Sequence, residues 1–238
     1  MEDIRFEGTA SLTATRARAP LFPKSAFDLL VIGASAGGIS ALKSIIKGLP
    51  IALPCAVAIV QHIPEFAFSQ LASVLGWGTR LITQFAADGQ RLRAGTVYVA
   101  PPGAHLVISP DRRFSLEKSP RVHYVRPSAD LLFRSAASAF GPRVLGLVLS
   151  GMGRDSAAGA AAVKRAGGVI IVQDPNSAEA PSMPLAASKE CSVDLTLPVS
   201  AIPGALLSLC EVQGARALFC ASKLDQASCA GSLRINSV

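Results

Sequence analysis

Phe27-Asp28-Leu29-Leu30-Val31-Ile32 runs into Gly33-Ala34-Ser35-Ala36-Gly37-Gly38, and apolar residues then recur at Ile39, Leu42, Ile45, Ile46 and Leu49. The first six residues read as a short buried strand. The small residues make a tight turn, and the spacing that follows is that of a helix with one apolar face. Pro50 and Pro54 end that helix. Ala56-Val57-Ala58-Ile59-Val60 is then a second buried strand. A strand, a turn, a helix and another strand apolar along its whole length form one βαβ unit.

The alternation continues along the chain. The pattern predicts a helix over 66–75 and a strand over 81–85. Thr96 to Val99, then Pro101-Pro102-Gly103, then His105 to Ile108 reads as a β-hairpin with Pro and Gly in its turn. Ser128 is placed to cap a helix running to about Phe140. Val144 to Leu149 is a fully apolar strand, and Gly153-Arg154-Asp155-Ser156 precedes a helix to about Ala166. Val169 to Val172 and Val193 to Leu197 read as strands, with a Pro-rich loop and short helix between them and a last helix from Ser200. Such a series implies an α/β fold with a doubly wound, mostly parallel sheet, interrupted by a hairpin insertion. The expected limits are a flexible arm over 1–26, one domain over 27–212 and a tail over 213–238, where a short helix could form before the end.

Half of the 238 residues are hydrophobic and 16% are charged, which excludes a disordered chain. A domain of this size buries roughly 70% of the surface its unfolded chain exposes and needs no disulfide or metal to hold it. Net charge is +7, but the bases are scattered, with no run of five and no interleaved aromatics. Nucleic-acid binding is therefore not expected. The five cysteines, Cys55, Cys191, Cys210, Cys220 and Cys229, include no C-x-x-C pair. They suggest neither a zinc site nor a disulfide framework, and Cys55 and Cys191 beside apolar runs read as core residues. With no long apolar stretch and no signal sequence, the reading is cytoplasmic, without membrane insertion.

In sheets of this kind, sites lie beyond the carboxyl ends of the strands. After the first strand stands Gly33-Ala34-Ser35-Ala36-Gly37. The segment alone allows three readings: a nucleophile elbow exposing Ser35, a phosphate-binding turn, or a plain turn with a capping Ser. A nucleophilic Ser needs a base, and of His62, His105 and His123 only His62 directly follows a strand. The base in turn needs a carboxylate to orient it. Asp155 follows the strand 144–149, and Asp174, in an Asp-Pro-Asn turn after the next strand, competes with it. Asp155 could equally be a carboxylate at the start of its own helix. The order Ser, His, Asp is not that of an α/β-hydrolase.

Taken together, Ile32-Gly33-Ala34-Ser35 with Gly37-Gly38, Gln61-His62, Ala100 to Leu106, Arg126-Pro127-Ser128-Ala129-Asp130 to Phe133, Ser150-Gly151-Met152-Gly153-Arg154-Asp155, Ala166-Gly167-Gly168 through Gln173-Asp174, and Met183-Pro184 resemble the catalytic domain of the CheB chemotaxis receptor methylesterases over about 29–203. The resemblance implies a Rossmann-like fold and hydrolysis of glutamyl methyl esters on chemoreceptor helices, with methanol released and glutamines deamidated in some members. It implies Ser35 as nucleophile, His62 as base, Asp155 as orienter, and the backbone around Ala36 and Met152 as the oxyanion region. It implies no metal and no organic cofactor. Against the family pattern, Ala36 stands for Thr, Ser156 for the Gly after Asp155, and Ser182 for the Gly before Met183.

The 26 residues before the first strand are too few for a receiver domain, so a stand-alone esterase is expected, with a separate receiver protein as a candidate partner beside the chemoreceptor. A base of this type works while its imidazole is neutral, and activity is expected to fall below about pH 6–7. Two rivals remain: a catalytically silent interaction module of the same fold, and a phosphate- or nucleotide-binding module using the turn 33–38.

Overall fold

The computed structural model describes residues 21, 22, 24–64 and 69–212. The strands are β1 (Leu29–Ala34), β2 (Ala56–Gln61), β3 (Ile82–Phe85), β4 (Thr96–Val99), β5 (His105–Ile108), β6 (Phe114–Glu117), β7 (Val144–Val148), β8 (Val169–Gln173) and β9 (Leu195–Leu197). The helices are α1 (Gly38–Lys47), α2 (Leu71–Gly76), α3 (Ala129–Phe140), α4 (Ala157–Arg165), α5 (Ser182–Glu190) and α6 (Ile202–Glu211). Seven strands form one parallel sheet in the order β3-β4-β2-β1-β7-β8-β9. The fold is thus α/β and doubly wound, as the sequence pattern predicts.

Alternation along β1 explains the layers, because successive strand side chains face opposite ways. Leu30, Ile32 and Ala34 pack with Leu42, Ile45 and Ile46 of α1, Leu71 and Leu75 of α2, and Ile202 and Leu206 of α6. Leu29 and Val31 pack on the other face with Leu132 and Phe133 of α3, Val163 of α4, Met183 of α5 and Leu106 of β5. The winding reverses between β1 and β7. Ala34 lies opposite Gln61 and Gly33 opposite Val148, so the chains leaving β1, β2 and β7 emerge side by side at one rim.

The hairpin is paired differently from the expectation. β4 does not pair with β5; it is an interior strand between β3 and β2, with every residue buried. Its unbroken apolar pattern suits a strand covered on both faces. Pro101 and Pro102 offer no N–H to a ladder and carry the chain off the sheet. β5 instead pairs antiparallel with β6, a strand absent from the sequence reading.

Residues 65–68 lie outside the described residues, so only the later part of the helix expected over 66–75 can be compared, and there α2 is the helix. Residues 1–20, 23 and 213–238 also lie outside, with the expected tail and most of the expected arm. Where the arm is described it is fastened down. The N–H groups of Leu21 and Phe22 both donate to the Asp28 carboxylate at 2.9 Å. Arg143 grips the same carboxylate with Nε at 2.9 Å and Nη2 at 3.0 Å, and its Nη2 donates to the carbonyls of Phe22 and Ser25. Cys55 and Cys210 are buried free thiols 3.7 Å apart, and Cys191 is half-buried. Among the described residues no helix is long and apolar enough to cross a membrane, and no cluster of His, Cys, Asp or Glu has the makings of a metal site.

Candidate active site

The turn after β1 is stitched to the turn after β7. The Ser35 N–H donates to the Ser150 carbonyl at 3.0 Å, and the Ser150 hydroxyl donates to the Ala36 carbonyl at 2.7 Å. Gly37 sits at φ +74°, a conformation that favours glycine, and starts α1 there. Gly151 lets the two turns approach, because a Cβ on it would lie 2.8 Å from the Ser35 Cβ. Ser35 is thereby held half-buried at the strand end, with Ala36 exposed beside it.

His62 leaves the neighbouring strand. Its N–H donates to the Ala34 carbonyl at 3.0 Å, and its ring Nε2 meets Asp155 Oδ2 at 2.8 Å. Both Asp155 oxygens are saturated. Oδ1 accepts from the Ser128 hydroxyl at 2.7 Å and the Asp130 N–H at 3.0 Å, and Oδ2 also accepts from the Ala129 N–H at 2.6 Å. Burial alone would raise the Asp155 carboxyl. The hydrogen bond and charge of His62, with the donors at Asp130 and Ser128, outweigh it and hold the group below its ordinary range. Asp155 therefore serves the amino terminus of α3 rather than that of its own helix α4. The hydroxyl of Ser128, expected as the cap of α3, makes no capping bond and faces Asp155 instead.

Ser35, His62 and Asp155 lie along one rim, with His62 bonded to Asp155. No hydrogen bond joins Ser35 Oγ to the His62 ring among the described residues, and the ring's Nδ1 likewise makes none. The N–H groups of Ala36 and Met152 also make no hydrogen bond among the described residues, and the Met152 side chain is exposed. Beside His62 lies a cleft of about 360 Å³, lined among the described residues by Ile63, Pro64, Arg121, Tyr124, Val125, Arg126 and Pro127.

Against this geometry the comparisons are specific. The family model described as CheB methylesterase matches residues 30–206. A Leptospira interrogans relative is 37% identical over 176 residues, which are 74% of this chain and 91% of that one. The Anaeromyxobacter dehalogenans protein-glutamate methylesterase/protein-glutamine glutaminase 2 is 42% identical over 182 residues, 76% of this chain and 53% of that one. The crystal structure of the Thermotoga maritima CheB methylesterase catalytic domain superposes with a TM-score of 0.74 at 34% identity, covering 77% of this chain and 98% of that one. The chain belongs to the CheB methylesterase family.

The remaining candidates of this CheB-family domain fall elsewhere. Asp174 does not reach His62. It caps the short turn after β8 by accepting from the Asn176 N–H at 3.0 Å. His105 is buried and structural: its Nδ1 accepts from the Ser128 N–H at 3.0 Å, and its Nε2 donates to the Pro120 carbonyl at 3.1 Å. His123 lies 3.3 Å from Asp130 Oδ2 on the far side of the α3 amino terminus. Burial raises the Asp130 carboxyl, and the Asp155 charge adds to that.

Two buried glutamines at strand ends escaped the sequence reading as site residues. Gln61 ends β2, and its Nε2 donates to the Ser35 carbonyl at 2.8 Å. Gln173 ends β8, and its Oε1 accepts from the Ser150 N–H at 2.9 Å. A polar residue closing an otherwise apolar strand was the available signal for both.

Proposed function

We propose that the chain is a serine esterase that hydrolyses glutamyl methyl esters on the cytoplasmic helices of a chemoreceptor, releasing methanol, and that the same site deamidates glutamines. Ser35 is the nucleophile, His62 the base and Asp155 its orienter. The observation that carries this reading is the His62–Asp155 pair at 2.8 Å, on the strand end beside Ser35.

The ionised Asp155 is acceptor-only, so the proton between them belongs to His62 Nε2. Nδ1 then carries the lone pair and is the atom that takes the Ser35 proton. The distance from Ser35 closes with substrate bound, as such hydrogen bonds commonly do. Ser35 Oγ attacks the ester carbonyl carbon while its proton passes to Nδ1. The oxyanion is received by the N–H groups of Ala36 and Met152. Collapse breaks the acyl–oxygen bond, and methanol leaves with the proton from His62. Water then attacks the acyl-enzyme by the same route and frees the carboxylic acid. For an amide the leaving group is ammonia. The arginines Arg121 and Arg126 in the cleft wall suit an acidic product.

The test is release of volatile methanol from methyl-labelled receptor, with labelling by a serine-directed phosphonate in parallel. Wild type is expected to release methanol and to be labelled. Ser35→Ala should lose labelling and about 10⁶ in turnover. A Ser35→Ala protein as active as wild type sinks the assignment. Partner binding without labelling of wild type would favour the silent module.

A further inference from the structure

Gln61 is 3% exposed at the end of β2. Its Nε2 donates to the Ser35 carbonyl at 2.8 Å and to the His62 carbonyl at 3.2 Å. Carbonyls only accept, so the amide cannot be turned the other way round. That leaves Oε1 buried, with no donor. A buried acceptor without a partner is a net cost to the fold. Here it accompanies a donor aimed between two residues of the proposed triad.

The peptide joining Ser35 to Ala36 is planar and trans, so its C=O and N–H point in opposite directions. The C=O is fixed inward by Gln61 and by the Gly38 N–H at 2.9 Å. The Ala36 N–H must then face outward, on an exposed residue and with no acceptor among the described residues. We infer that Gln61 is a positioning residue whose carboxamide aims the Ala36 N–H at the oxyanion and sets the turn that presents Ser35. This rests on the esterase reading above. It assigns Gln61 a part in stabilising the transition state, through a peptide it holds from behind.

The experiment compares wild type, Ser35→Ala, Gln61→Met and Gln61→Glu on p-nitrophenyl acetate, with the folded fraction of each measured by circular dichroism. Gln61→Met keeps the side-chain length and removes both the donor and the orphan acceptor. Gln61→Glu keeps the shape and sets a carboxylate oxygen against two carbonyls. Both should lose at least 10-fold in kcat per folded molecule, with KM within twofold of wild type; losing an oxyanion donor outright costs about 10²–10³. Thermal stability of Gln61→Met should match or exceed wild type. A kcat within twofold of wild type overturns the inference. So does a loss that disappears after correction for folded fraction, a loss expressed in KM alone, or failure of both variants to fold. If Ser35→Ala hydrolyses the ester as fast as wild type, the esterase reading fails first and takes the inference with it.

Discussion

Ser156 is a residue where the chain is locally at odds with its fold. It has φ +89°, is completely buried, and its hydroxyl has no hydrogen-bond partner. A left-handed conformation costs an L-residue about 1–2 kcal/mol, and an unpaired buried hydroxyl about 1–3 kcal/mol. Glycine returns part of that gain through its larger unfolded-state entropy. Ser156→Gly is therefore expected to stabilise by about 1 kcal/mol and to raise Tm by about 2–4 °C in a scanning calorimeter, with esterase activity unchanged. Ser128→Ala acts in the opposite sense. It removes a charge-assisted hydrogen bond to Asp155, and urea titration should show a loss of about 1.5–3 kcal/mol. At this scale the sequence was a partial guide. Ser35, His62 and Asp155 each follow an apolar strand and so became candidates, but Asp174 does so too, and the choice of Asp155 rested on the family resemblance. The direction in which Ser128 points could not, since a Ser before a helix reads as a cap whether or not its hydroxyl turns toward a carboxylate 27 positions away.

The amino terminus of α3 is the element on which the site is hung. Its first N–H groups hold Asp155, and Asp155 holds His62. The pH dependence of stability follows from the direction of the Asp155 shift. Its folded-state value lies below the ordinary one near 3.8, so its contribution is fully present above pH 4 and is lost as acid brings the pH down through the folded value. Asp130 works the other way: its raised value penalises the ionised fold, and acid relieves that penalty. Asp155→Asn should therefore be less stable than wild type at pH 7, and the gap should narrow below about pH 4 in denaturant titrations across pH 2–7. Under the esterase reading the same variant should lose about 10⁴ in kcat, as triads do when the orienting carboxylate becomes an amide.

Among the elements, β1, β2, β7 and β8 were legible because a strand buried on both faces leaves an apolar run that needs no partner to be recognised. The pairing of β4 and β5 was not. A Pro-Pro-Gly between two strands says that the chain turns, not that the strands flanking it meet, and the true partner of β5 is Phe114-Ser115-Leu116-Glu117, whose apolar–polar alternation is only four residues long.

Across the whole molecule the chemistry and the anchoring are at opposite ends of the sheet. The carboxyl ends of β1, β2 and β7 carry the proposed site, whereas Asp28, just before β1, and Arg143, just before β7, clamp the other end. Asp28 is fully buried, and removing its cation leaves an uncompensated charge. Arg143→Ala should cost about 3–5 kcal/mol in equilibrium unfolding, with kcat per folded molecule unchanged. A fall in kcat larger than the fall in folded fraction would show that the two ends are coupled.

Under the esterase reading Asp155 has two duties, and that bears on how relatives of this chain diverge. A lineage that gave up hydrolysis could exchange the serine or the imidazole at little expense to its architecture, but replacing the aspartate would unseat a helix. Inactive descendants should therefore keep the acid long after the alcohol or the base has drifted. In sorting working esterases from retired ones, the first two positions are the informative markers, and the third mainly reports that the scaffold is intact.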